Sequence, residues 1–123
     1  MKYDALYQEF KDEFPESVSF LEKQEKVNIL DSGDGIHVLY AFSVVPYIKS
    51  VLKAGDAQQV EKIADFLEKM ATDPDQEVNN VLQVTILESL LDDTSGVQFH
   101  DWDAYWKDET KSYLRYIRLY MDV

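Results

Sequence analysis

The chain has no cysteine, which excludes disulfides, thiolate metal sites and a thiol nucleophile. Prolines number three and glycines four in 123 residues. No Ser-, Gly- or Pro-rich stretch divides the chain, so residues 1–123 are expected to form one domain. Nowhere does an uncharged apolar run reach the roughly 18 residues that a membrane-spanning helix needs. The first ten residues carry a charge every few positions and lack the apolar centre of a signal peptide. A cytoplasmic location is expected, with no membrane contact.

Histidines are also scarce: His37 and His100 stand far apart and form no pair at helical spacing. Neither a Gly-x-Ser-x-Gly turn, nor a Gly-rich phosphate loop, nor a His-Glu-x-x-His helix is present. The sequence therefore predicts a protein that is not an enzyme and takes no cofactor and no catalytic metal. Positive charge is the last shortage. Twelve Lys and Arg face 24 Asp and Glu, a formal net charge of -12. A polyanion would be repelled over most of such a surface, so nucleic acid is not an expected ligand. The excess is concentrated between Asp56 and Glu109, where 14 acids meet only Lys62, Lys69 and Lys107.

What the chain does have is helical periodicity. Val60, Ile63, Ala64, Leu67, Met70 and Ala71 recur at spacings of three and four and predict an amphipathic helix opened by Asp56. Val78, Val81, Leu82, Val84, Ile86, Leu87, Leu90 and Leu91 leave Asn79, Asn80, Gln83, Thr85, Glu88 and Ser89 to water. That pattern is apolar enough for a buried central helix. Pro74 and the acids around it suit a helix start between the two.

Upstream, Tyr3, Leu6, Tyr7, Phe10 and Phe14 predict a first helix, and 16–26 a second after Pro15. Asp31 to Gly35 reads as a turn and lacks the ligand run of a calcium loop. A third helix is expected over 37–53, with Val38, Leu39, Phe42, Val45, Ile48 and Leu52 inward and Pro46 bending or dividing it. Gly55 supplies its stop. A last helix is expected over about 101–120, rich in aromatics, with Lys107, Lys111, Arg115 and Arg118 along one face and paired with acids of neighbouring helices. The fold class is all-α, one domain of five to seven helices in antiparallel pairs.

Two groups of residues stand out as candidate contacts. Asp73, Asp75 and Glu77 open one end of the central hairpin, and Asp92, Asp93, Asp101 and Asp103 surround the other. Acids in first helical turns are favoured by the helix dipole alone, by roughly 0.3–1 kcal/mol; the same groups suit Lys and Arg on a partner. Between the acids of 99–106, Trp102 and Trp106 read as core, while Tyr105 falls off that stripe and is expected to anchor a basic protein surface.

The segment Phe66-Leu67-Glu68-Lys69-Met70-Ala71, followed by Asp73-Pro74-Asp75, Val78-Asn79-Asn80-Val81-Leu82 and Leu87-Glu88-Ser89-Leu90, resembles one HEAT-like helical pair. With its size and acidity, the whole chain is similar to the small bacterial immunity proteins of contact-dependent or polymorphic toxin systems. That resemblance implies a cytoplasmic protein that binds a cognate toxin domain, often across its active site. The partner expected here is a cationic toxin domain of nuclease type, met by Asp73, Asp75, Glu77, Asp92, Asp93, Asp101, Asp103 and Tyr105. An acidic helical adaptor is the alternative, and a metal-dependent carboxylate enzyme a more distant one that needs several acids converging in a cleft.

Overall fold

Helix boundaries follow from a few local residues. Gly55 takes a left-handed conformation (φ 78°), which a glycine adopts without side-chain cost, and its N–H donates to the Val51 carbonyl at 3.1 Å. Directly after it, the Asp56 carboxylate accepts the amides of Gln58 and Gln59 at 3.0 and 3.3 Å. These are orphan donors of the next helix's first turn. One helix is closed and the next opened by adjacent residues, as the sequence predicts.

In a computed structural model that describes residues 1–91 and 103–121, all regular structure is helical, and no strand occurs among those residues. Helix α1 is Leu6–Glu13, led in by a 3-10 turn at Tyr3–Ala5; α2 is Val18–Val27, led in by a turn at Pro15–Ser17. Helix α3 spans 36–54 and is built from Ile36–Leu39, a π-helical stretch Tyr40–Val44, and Val45–Ala54. Helix α4 is Ala57–Thr72. Helix α5 spans 76–91, with a π stretch Val81–Leu87 between Gln76–Asn80 and Glu88–Leu91, and α6 is Asp108–Met121. Helices α4 and α5 form the expected hairpin across residues 73–75, and α6 packs on α4 and on the π stretch of α5. One apolar cluster draws residues from all six helices, from Leu6 and Leu21 through Ile48, Leu67 and Leu82 to Leu114. The chain is a small all-α domain.

Pro46 does not divide α3. Its ring removes one N–H and crowds the carbonyl four residues back, that of Phe42. The preceding turn widens instead, so that the Val45 N–H donates five residues back to Tyr40, and the Asn28 amide approaches the Phe42 carbonyl at 3.5 Å. The inward face of α3 also differs from expectation. Ile36, Leu39, Tyr40, Ser43, Val44, Tyr47, Ile48 and Val51 are buried, whereas Val38 and Phe42 are exposed. Tyr40, Ser43 and Tyr47 carry the stripe with amphipathic side chains that a purely apolar pattern underweights. In α5 the same correction exchanges two neighbours: Val84 is exposed and Thr85 buried. The Thr85 hydroxyl meets His37 Nδ1 at 2.5 Å, which satisfies the buried polar group.

Aromatic rings hold α1 to α3 and α4. Phe10 stacks within 4.6 Å of Phe14 and stands edge-on to Phe66, Tyr47 and Tyr40 at 5.1, 6.0 and 6.2 Å. The buried Tyr40 hydroxyl donates to the Leu6 carbonyl at 2.8 Å. Burial raises the pKa of Tyr7, Tyr40 and Tyr47; around Tyr7 the Ser43 hydroxyl opposes the shift and the Glu25 carboxylate adds to it. Each folded-state value lies above the unfolded value near 10. The stabilising contribution is therefore complete below about pH 10 and is lost as pH rises through the folded values. The part of the urea midpoint that these tyrosines supply should fall only above about pH 10, with a shallower alkaline fall in Tyr40→Phe.

The end of α2 carries backbone strain. Leu30 N–H donates to the Glu25 carbonyl at 2.8 Å and Ile29 N–H to that of Lys26 at 3.3 Å, a Schellman closure in which Ile29 takes the position usually given to glycine. Its φ is 55° and its side chain is 90% exposed. A left-handed β-branched residue costs about 1–2 kcal/mol, and glycine returns about 0.5–1 through its freer unfolded chain. Ile29→Gly is thus expected to stabilise the fold by roughly 0.5–1 kcal/mol, read as a higher urea midpoint.

Candidate interaction surface

The connection from α4 to α5 is an acidic turn whose charges also do local structural work. Asp73 accepts the Asp75 amide at 2.9 Å and pairs with the Met1 ammonium at 3.0 Å. Asp75 in turn caps α5 by accepting the Glu77 amide at 2.9 Å. Asn79 closes the turn from inside, donating to the carbonyls of Met70 and Asp73 at 2.7 and 3.1 Å. The Asp75 amide and then the Met1 ammonium hold the Asp73 carboxyl below the usual carboxylate value. Asp73, with Glu9 and Asp75 adding to it, holds the Met1 ammonium above its usual value. Three carboxylates thus share one ammonium, and Glu77 stands exposed beside them on the first turn of α5.

The second predicted group is only partly described. Asp92, Asp93 and Asp101 lie outside the described residues. Asp103 lies in a 3-10 turn over the described residues 103–105, and α6 begins five residues after it. The expected helix start near 101 is therefore corrected for the described part, and Asp103 is not a first-turn acid of α6. Its carboxylate pairs with Arg118 at 3.2 Å. Tyr105 is half-buried against the core, so it offers a partner only part of its ring. Trp106 is buried, as expected.

The basic strip of the last helix splits. Lys107 pairs with Asp65 at 3.6 Å and Arg118 with Asp103, whereas Lys111 and Arg115 make no ion pair among the described residues. Exposed pairs such as Lys62 with Glu16 and Lys69 with Glu13 contribute little stability each, about 0–1 kcal/mol.

Sequence reasoning assigned Glu68 no contact. It is the N-terminal cap of α6: its two oxygens accept the Glu109 amide at 3.1 Å and the Thr110 amide and hydroxyl at 3.0 Å each. The available signal was a missing one, since Lys107 precedes α6 where Ser, Thr, Asp or Asn is preferred.

Among the described residues no three His, Asp or Glu side chains converge as a metal-holding group. No helix among them is long and apolar enough to cross a membrane. No curated protein and no solved structure matches the chain. Residues 7–121 match the model of the family described as Domain of unknown function (DUF7674), and the chain belongs to that family.

Proposed function

We propose that the protein is an immunity protein that binds and occludes a cognate cationic toxin domain of nuclease type in the cytoplasm. The observation that carries this reading is the acidic end at the α4–α5 turn, where Asp73, Asp75, Glu9 and the exposed Glu77 outnumber the single Met1 ammonium. Accepting an amide does not neutralise a carboxylate. Capping fixes Asp75 in place without cancelling its charge, and Glu77 stands exposed beside it, whereas the Asp73 side chain is 9% exposed and matched to the Met1 ammonium. A nuclease must be cationic where it holds a polyanion, and an acidic inhibitor is steered to that site and covers it.

The test is co-expression of the tagged chain with the product of the neighbouring reading frame. A tight one-to-one complex that restores growth is the expected result. A harmless neighbour with no complex overturns the proposal, and a stable complex with another host protein in its place favours the adaptor. Within a complex, Glu77→Lys is expected to slow association by about threefold to tenfold at low ionic strength, and by less as salt screens the field. Because Glu77 is exposed but lies in the first turn of α5, the substitution loses a helix-dipole contribution of roughly 0.3–1 kcal/mol, so the melting temperature should fall by no more than a few degrees and the fold should be kept.

A further inference from the structure

Where α1 and its lead-in turn meet the start of α3, they enclose a cleft of about 380 Å³ lined by Tyr3, Asp4 and Tyr7 from the first element and by Asp34, Ile36 and Leu39 from the second. No Lys, Arg or His lines it, so its only formal charges are the two carboxylates. Its base is apolar, with Ile36 and Leu39 exposed to 9 and 6%. The Asp4 carboxylate is exposed and has no ion pair or hydrogen bond among the described residues. Asp34 gives one oxygen to the Asp31 amide at 2.9 Å and keeps the other. The two tyrosines are not equivalent. Tyr7 is already engaged: its hydroxyl donates to Glu25 at 2.7 Å, and Lys11, itself paired with Glu25 at 3.1 Å, lies 4.7 Å from the centre of its ring. The Tyr3 ring stands tilted to His37, 6.3 Å between centroids, and no cation lies over it among the described residues.

We propose that this cleft binds the ammonium group of an alkylamine between Asp4 and Asp34 and against the Tyr3 ring, with the alkyl stem on Ile36 and Leu39. The chain shows the same chemistry completed from within one turn along α1, where Tyr7, Glu25 and Lys11 bring together a ring, a carboxylate and an ammonium. Around Tyr3 the ring and the carboxylates are present and the ammonium is lacking. A cation there relieves the repulsion of two like charges and is attracted by the ring face. An organic cation suits the apolar base, whereas a hard metal ion needs six or more oxygens, and no three acids converge as a metal-holding group among the described residues. The carboxylates come from two elements, and Asp34 has one oxygen committed, so each is met one bond at a time. A compact ammonium with three donors fits that arrangement better than the planar guanidinium fork, which matches both oxygens of one carboxylate. The cleft shares no residue with the acidic α4–α5 turn, and its ligand does not depend on the partner proposed for that turn. A free amine and a lysine side chain of a protein carry the same group.

The test is a titration of the full chain with butylammonium chloride, followed by backbone amide shifts in NMR, with butanol in matched sodium chloride as the uncharged control. Saturable shifts are expected at residues 3–8 and 32–36. Affinity should be about threefold to fivefold lower in Asp4→Asn and in Tyr3→Leu. Leucine keeps the apolar contact that Tyr3 makes with the core, so amides elsewhere should hold their positions. Equal shifts with butanol, shifts that spread over the acidic surface without saturating, or an affinity that either substitution leaves unmoved overturn the proposal. A blocked peptide with one lysine between glycines and the diamine putrescine then separate the two sources. Tighter binding of the peptide assigns the cleft to a lysine of a protein partner, tighter binding of the diamine assigns it to a free amine, and failure of both overturns the proposal.

Discussion

Phe10→Ala is expected to cost about 3–5 kcal/mol, the range for deleting a buried aromatic ring. Phe10 is 1% exposed and its ring meets Phe14, Tyr40, Tyr47 and Phe66, which belong to or border α1, α3 and α4. Truncation removes four aromatic contacts at once and leaves a cavity that three separate helices would have to close. A small domain has only about 5–15 kcal/mol in total, so the urea midpoint should fall by a large fraction with little change in slope. Phe10→Leu, which keeps most of the apolar volume, should recover part of the loss. A cost below about 1 kcal/mol for the alanine variant would mean that α1 is not docked as part of the cooperative core.

How far such a core was legible depended on whether the buried stripe was made of purely apolar residues. Helix α4 was, and Val60, Ile63, Ala64, Leu67, Met70 and Ala71 are all buried as the spacing predicts. The α3 stripe runs through Tyr40, Ser43 and Tyr47, whose polar atoms lowered their apparent hydrophobicity, and Val38 and Phe42 were read inward in their place. In α5 the hydroxyl of Thr85 hid a core position because its partner, His37, is 48 residues away. Tertiary hydrogen bonds of that kind leave no local trace. Caps were easier: Gly55, Asp56 and Asp75 act within a few residues of their own positions.

The candidate site follows the same division. Asp73, Asp75 and Glu77 were legible as helix-start acids, and the structure gathers them as one acidic end. Glu9 was missed because it arrives from α1, and its proximity is a property of the packing alone. Asp103 was grouped with acids of the other end, yet its charge is offset by Arg118 from one turn short of the last residues of α6. Structural and electrostatic uses of a carboxylate are therefore separable only after the cations are placed. Charge counting along the chain finds the excess of acid, and ion pairing decides where that excess faces outward.

Glu68→Ala should have the largest effect of any single charged residue described here, about 2–4 kcal/mol, because charge-assisted hydrogen bonds contribute more than neutral ones and a stranded buried polar group costs about 1–3. Three donors lose their acceptor together: the amides of Glu109 and Thr110, and the Thr110 hydroxyl on a fully buried side chain. Nothing nearby replaces it, since Lys107 occupies the position where α6 would otherwise cap itself. Glu68→Gln is the informative companion. Its carbonyl oxygen can keep both Thr110 bonds, but its amide then faces the Glu109 N–H donor to donor, so an intermediate loss is expected. Hydrogen exchange should locate the effect, with amides of the first turn of α6 losing protection well before those of α4. If both variants unfold uniformly with unchanged local protection, Glu68 contributes to the global core and not to the docking of α6. If the loss is confined to α6, that helix is held to the domain by a carboxylate that belongs to another helix, and weakening this one cap would loosen it without touching any of its own residues.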